Sequence, residues 1–170
     1  EAATTILLHE MRFVKTKPLH PRQKAGRIKE TSSEKEEKHM THFEEAKFLR
    51  QEPGGRHYNC AQSLLVPFAA EIGMEKEDAY ALGAFFGAGM MHGSACGTLT
   101  AALMILGKTD KDKETAKKLI DDFLAAHGTT DCRCLLAAAE KKGITRKENC
   151  DGLVLELCQK LEEIITRETQ

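Results

Sequence analysis

The sequence predicts an all-α fold: a compact antiparallel bundle of about six to seven helices, with a flexible N-terminal extension. Three observations predict it. Apolar residues recur at helical spacing from about residue 41 onward, capping residues and glycines punctuate the segments, and no window alternates with period two for long enough to make a strand.

Thr41 followed by Glu44 is a capping box, so the first helix starts there and runs to about Gln51, ending at Pro53-Gly54-Gly55. Asn59 is an N-cap for the second, which carries Leu64, Leu65, Phe68 and Ile72, is kinked by Pro67 and stops at Gly73. A third starts near Glu75 and is expected to place Ala79, Leu82, Phe85, Phe86 and Met90 on a core face. The fourth opens near Cys96, with Leu99, Leu103 and Leu106 ahead of Gly107. Asp110 is read as the cap of a long fifth helix, with Leu119, Ile120, Phe123 and Leu124 at helical spacing and Gly128 past its end. Asp131 caps a sixth that stops at Gly143. Asn149 is read as the cap of the last, striped by Leu153, Leu157, Leu161, Ile164 and Ile165.

Residues 1–40 differ in composition. They hold nine Lys/Arg against six acids, two prolines and a Thr31–Lys38 run without apolar periodicity. Such a stretch offers too little apolar surface to offset its ordering entropy, so it is expected to be a disordered or loosely helical extension, with a basic interaction arm as the functional alternative. Met40 is a candidate natural start. Residues 41–170 are expected to form the helical domain.

The chain of 170 residues is 41% hydrophobic and 30% charged, enough to bury a core without Trp. Twenty-five basic residues against 26 acidic ones argue against a nucleic-acid binder. The early apolar run, Ile6-Leu7-Leu8, is too short for a secretory signal, which points to a cytoplasmic protein with reduced thiols. Ala79 to Gly107 lacks charged side chains, yet His92-Gly93-Ser94-Ala95-Cys96-Gly97 interrupts it, so two buried helices around a turn are expected rather than a membrane span.

The chemistry rests on six cysteines. Asn59-Cys60, Asp131-Cys132 and Asn149-Cys150 repeat one arrangement, a capping residue followed by Cys, while Cys134 and Cys96 also fall at helix openings. Free N–H groups there favour an anion, so depressed thiol pKa values are expected. Cys158 sits mid-helix and reads as a small core residue.

Asn59-Cys60-Ala61-Gln62, the glycine-rich Gly83–Gly93 stretch, Cys96-Gly97-Thr98-Leu99-Thr100-Ala101, Cys132-Arg133-Cys134 and Cys150 together resemble the bacterial and archaeal C_GCAxxG_C_C family of redox-active proteins over about residues 42–165. The resemblance implies a redox role for Cys60, Cys96, Cys132 and Cys150. Thr98 and Ala101 depart from the family's Ala and Gly, and Cys134 and Cys158 are additional.

Three functional classes follow. In the first, two of the four thiols form a disulfide and exchange electrons with an unidentified redox partner; sequence does not select the pair. In the second, Cys60, Cys96, Cys132 and Cys150 hold zinc or an iron–sulfur cluster with His92 as the best non-thiol ligand and His57 the next, although short Cys-x-x-Cys hooks are missing. In the third, the cysteines only pack, in a non-catalytic helical interaction module. A c-type haem is not expected without Cys-x-x-Cys-His, and the glycine run lacks the strand and spacing of a nucleotide loop. Whether the domain acts alone or as a homo-oligomer is left open.

Overall fold

The computed structural model describes residues 40–167, so the expected extension lies, apart from Met40, outside the described residues. The described chain is all-α, with seven α-helices: α1 (His42–Leu49), α2 (Gln62–Leu65), α3 (Lys76–Leu82), α4 (Gly97–Lys108), α5 (Lys113–His127), α6 (Cys132–Lys141) and α7 (Arg146–Thr166). A 3-10 turn at Pro53–Gly55 follows α1.

The spine is α7, which packs against α1, α2, α4 and α6. Its stripe of Leu153, Val154, Leu157, Cys158 and Leu161 is buried, and meets Phe68, Ile105 and Leu106 in one core. Each fully buried Leu contributes about 1.5–3 kcal/mol, so this stripe anchors the bundle. None of the described helices is long and apolar enough to cross a membrane; Ala101, Ala102, Ile105 and Leu106 of α4 are spent on the core instead.

Capping explains most helix starts. The Thr41–Glu44 box opens α1, and Asp131 Oδ1 accepts from the Cys134 N–H to open α6. Gly128, at φ 75°, ends α5 in the left-handed conformation.

Four expectations need correction. The second helix is shorter than its apolar pattern: Leu64, Leu65, Phe68 and Ile72 are buried, but regular helix ends at Leu65 and turns carry the chain to Gly73. Pro67 has no N–H to continue the ladder, and its ring crowds the preceding turn. The third helix ends at Leu82; Leu82, Phe85 and Met90 are exposed, while Ala79 is buried and Phe86 packs partly on the core. The helical spacing of those residues loses its meaning once the chain leaves the helix at Gly83. The cap of α5 is Asp112, which accepts from the Thr115 N–H, and Asp110 is a left-handed turn residue at φ 55°. Finally, α7 begins at Arg146, three residues before Asn149, and is capped by a Thr145–Glu148 capping box. Asn149 is therefore inside the helix, and Cys150 lies in its second turn.

Candidate functional site

Four segments far apart in sequence bring Cys60, Cys96, Cys132 and Cys150 to one place. The first is the Asn59-Cys60-Ala61-Gln62 turn. Asn59 Oδ1 accepts from the Ala61 and Gln62 N–H groups, Gln62 Oε1 accepts from the Asn59 N–H, and the Ser63 N–H donates to the Asn59 carbonyl. Cys60 is thus the first residue of a capped helical turn, as its sequence context predicted. The remaining amide hydrogens reach outward: Asn59 Nδ2 donates to the Gly83 and Ala84 carbonyls, and Gln62 Nε2 to the Tyr80 carbonyl. One dipeptide-spaced pair therefore caps its own helix and ties down the open end of α3.

The second and third segments are joined directly. The Cys96 N–H donates to the Thr130 carbonyl at 2.8 Å and the Cys132 N–H to the Ser94 carbonyl at 2.6 Å, an isolated antiparallel bridge centred on Ala95 and Asp131. This staples the openings of α4 and α6 side by side. Gly97 lets Cys60 approach: a Cβ there would lie 2.4 Å from the Phe86 carbonyl oxygen and 2.9 Å from Cys60 Sγ. Gly89 does the same for Cys132, whose Cβ would be 2.6 Å from an added Cβ. Both positions exclude any side chain.

Cys150 is brought in by charge. Arg50 Nε donates to Asp151 Oδ1 at 2.6 Å and Arg50 Nη1 to the Tyr58 carbonyl at 2.7 Å. Lys147 Nζ donates to Asp151 Oδ2 and to the Arg50 carbonyl. The end of α1, the approach to Cys60 and the second turn of α7 are locked together by this clamp.

Cys60, Cys132 and Cys150 line a cleft of about 620 Å³, with Arg50, Arg146 and Phe85 among its other walls. Cys96 lies behind it, 4% exposed. The expected depression of thiol pKa values does not hold. Burial pushes Cys96, Cys132 and Cys150 up, Cys150 to about 11, and charge on Cys60 opposes ionisation of all three. Charge on Cys96 likewise opposes ionisation of Cys132 and Cys150. Desolvation outweighs the helix ends here. Arg50 pulls Cys150 back and Arg146 pulls Cys132 back, each by a smaller amount. The cluster is therefore built to resist carrying several thiolates at once.

The two further cysteines stand apart. Cys158 is fully buried in α7, where burial pushes its thiol up to about 12. Cys134 is exposed on α6, and the side chain of Asp131 raises its thiol by hydrogen bonding and by charge. All six cysteines are free thiols in this structure.

His92 is exposed and does not line the cleft; its carbonyl, not its ring, is engaged, accepting from Arg133 Nη2. His57 does line it, and its Nδ1 pairs with Glu52 at 2.7 Å. A metal centre needs several donors aimed at one point. Among the described residues no group of three or more His, Cys, Asp or Glu is so arranged.

Residues 58–164 match the profile of the family described as "Putative redox-active protein (C_GCAxxG_C_C)". The chain belongs to this family. The matched span contains all four converging cysteines and begins at Tyr58, whose carbonyl the Arg50 clamp holds. No curated protein and no solved structure matches the chain.

The sequence pattern did not mark Arg50, Asp151 or Arg146. The first two form a contact across 101 positions, which no local signal announces. Thr98 was visible as a departure from the family motif, and its hydroxyl proves to be fully buried without a hydrogen-bond partner.

Proposed function

We propose that this member of the C_GCAxxG_C_C family is a thiol–disulfide redox protein acting through Cys60, Cys96, Cys132 and Cys150. The observation that carries the reading is their convergence, with three thiols on one cleft and the fourth behind it, and with charge on Cys60, Cys96 or Cys132 raising the cost of ionising a neighbour. Such a cluster has two ways to relieve that repulsion, proton retention and disulfide formation. Retention keeps the reduced state quiet. Disulfide formation removes two ionisable groups together and lowers the barrier to ionising the remaining pair.

The exchange balances simply. One cysteine thiolate attacks a sulfur of the oxidised partner, R–S–S–R′; that S–S bond breaks, a mixed disulfide forms, and the departing thiolate takes a proton. A second cysteine thiolate then attacks the protein sulfur of the mixed disulfide and releases the other half of the partner as a thiol. The protein loses two electrons and two protons, and the partner gains them. A reducing compartment such as the cytoplasm would return the protein to its thiol form.

The test is an equilibrium redox titration of the full chain in thiol–disulfide buffers, with free thiols counted by mass after alkylation. One two-electron transition that consumes two of the four site thiols, persists in Cys134→Ser and Cys158→Ser and is lost or shifted in each site Cys→Ser variant supports the proposal. Oxidation of individual thiols without a shared transition overturns it.

A further inference from the structure

The cleft is more cationic than its thiols require. Arg50 and Lys147 are committed to Asp151 and to backbone carbonyls. Arg146, which also lines the cleft, makes no ion pair among the described residues and is exposed at the first position of α7. Its charge reaches Cys132. Glu52, the acidic lining residue, is occupied by His57. Beside these charges stand Phe85 and Met91, 72% and 70% exposed, both on the cleft wall. A volume of about 620 Å³ lies within the range of small-molecule sites.

A substrate that matches these features presents an S–S bond to the thiols, lays an apolar stem on Phe85 and Met91, and puts an anionic group at Arg146. We infer that the cleft takes a low-molecular-weight disulfide bearing carboxylates, with Arg146 as the residue that selects its charge. This rests on the thiol–disulfide reading. Arg146 would act on encounter and orientation, since an unpaired cation beside a concave site raises the local concentration of anions.

The reduced full chain is mixed in turn with oxidised glutathione (anionic), hydroxyethyl disulfide (neutral) and cystamine (cationic), and the rate of protein thiol loss is followed. Arg146→Gln is expected to slow the reaction with oxidised glutathione about 3- to 10-fold more than that with hydroxyethyl disulfide, and added salt should shrink the difference. Arg146→Glu should widen it and favour cystamine. Dividing by the neutral probe removes the effect of Arg146 on Cys132 ionisation. If the glutathione-to-hydroxyethyl ratio is the same in wild type, Arg146→Gln and high salt, charge selection by Arg146 is wrong while the redox reading stands. If none of the three oxidises the protein, the redox reading fails and this inference fails with it.

Discussion

Thr98→Val should make the protein more stable and Cys96 less reactive. The Thr98 hydroxyl is completely buried at the second position of α4 and makes no hydrogen bond. A buried polar group left unpaired costs about 1–3 kcal/mol, and valine fills the same shape without that cost. The hydroxyl has a use only when Cys96 ionises. The Leu99 and Thr98 N–H groups and the Thr98 hydroxyl all favour the Cys96 thiolate, against the burial that pushes the thiol up. With the thiol protonated at neutral pH, the substitution should therefore add about 1 kcal/mol, or roughly 2–4 °C in Tm for a domain of this size. Thermal melts of the reduced protein at pH 7 read the first effect. Residue-resolved alkylation of Cys96 from pH 7 to 10 reads the second, and its midpoint should move upward. A variant that loses stability, or an alkylation profile that does not move, would refute the reasoning, because the hydroxyl would then be serving the fold rather than the sulfur.

Three other outcomes are expected. Gly97→Ala forces a Cβ to within 2.4 Å of the Phe86 carbonyl oxygen, and should cost about 1–3 kcal/mol in a urea melt while slowing exchange at Cys60, whose sulfur it also meets. Asp131→Asn keeps a competent cap for α6 but removes the charge that raises Cys134, so alkylation of exposed Cys134 should quicken without a large loss of Tm. In the alkaline range, Cys150 and Cys158 hold their protons more tightly folded than unfolded. The stability this confers is complete below the ordinary thiol value near 9 and is lost as pH rises through about 11 for Cys150 and about 12 for Cys158. The slope is at most about 1.4 kcal/mol per pH unit per thiol, less for the partly solvated Cys150. Urea melts from pH 8 to 11 should show that decline, and Cys158→Ala should flatten it after its lower starting stability is subtracted; a flat profile in the parent protein would contradict it.

What the sequence disclosed divides along the range of the interactions. Capping chemistry is local, so Thr41, Asn59 and Asp131 were legible, and the Asn-Cys and Asp-Cys contexts correctly put Cys60 and Cys132 in first helical turns. The same reasoning misplaced Cys150, because Asn149-Cys150 looked like a third copy while Thr145 and Glu148 formed the real box upstream. Asn149 Nδ2 is instead buried inside the helix without a partner. The thiol pKa expectation failed for a different reason. Helix ends favour thiolates that remain in water, but how much water reaches a sulfur is decided by tertiary packing, and no local pattern reports it. The Arg50–Asp151 clamp was invisible on the same ground.

Glycine richness between Gly83 and Gly93 was legible as a turn between helices, but not the form the turn takes. Ala88, Met90 and Met91 all adopt left-handed backbone angles, at φ 53°, 56° and 58°, around Gly89 at φ 62°. Three side-chain-bearing residues in that region cost about 1–2 kcal/mol each, a sum comparable to a large part of a domain's net stability. Such a turn persists only where its two ends are fixed independently. Here they are: the Asn59 amide holds the Gly83 and Ala84 carbonyls before it, and the Cys96–Thr130 and Cys132–Ser94 hydrogen bonds hold the chain after it. The groups that fix the ends are the capping residue of Cys60 and the backbones of Cys96 and Cys132. The strained turn in return places Ala88 and Met91 on the cleft wall and Gly89 against Cys132. Loosening any one of the three cysteine segments would therefore let the turn relax and open the wall, which couples the shape of the cleft to the positions of the thiols that line it.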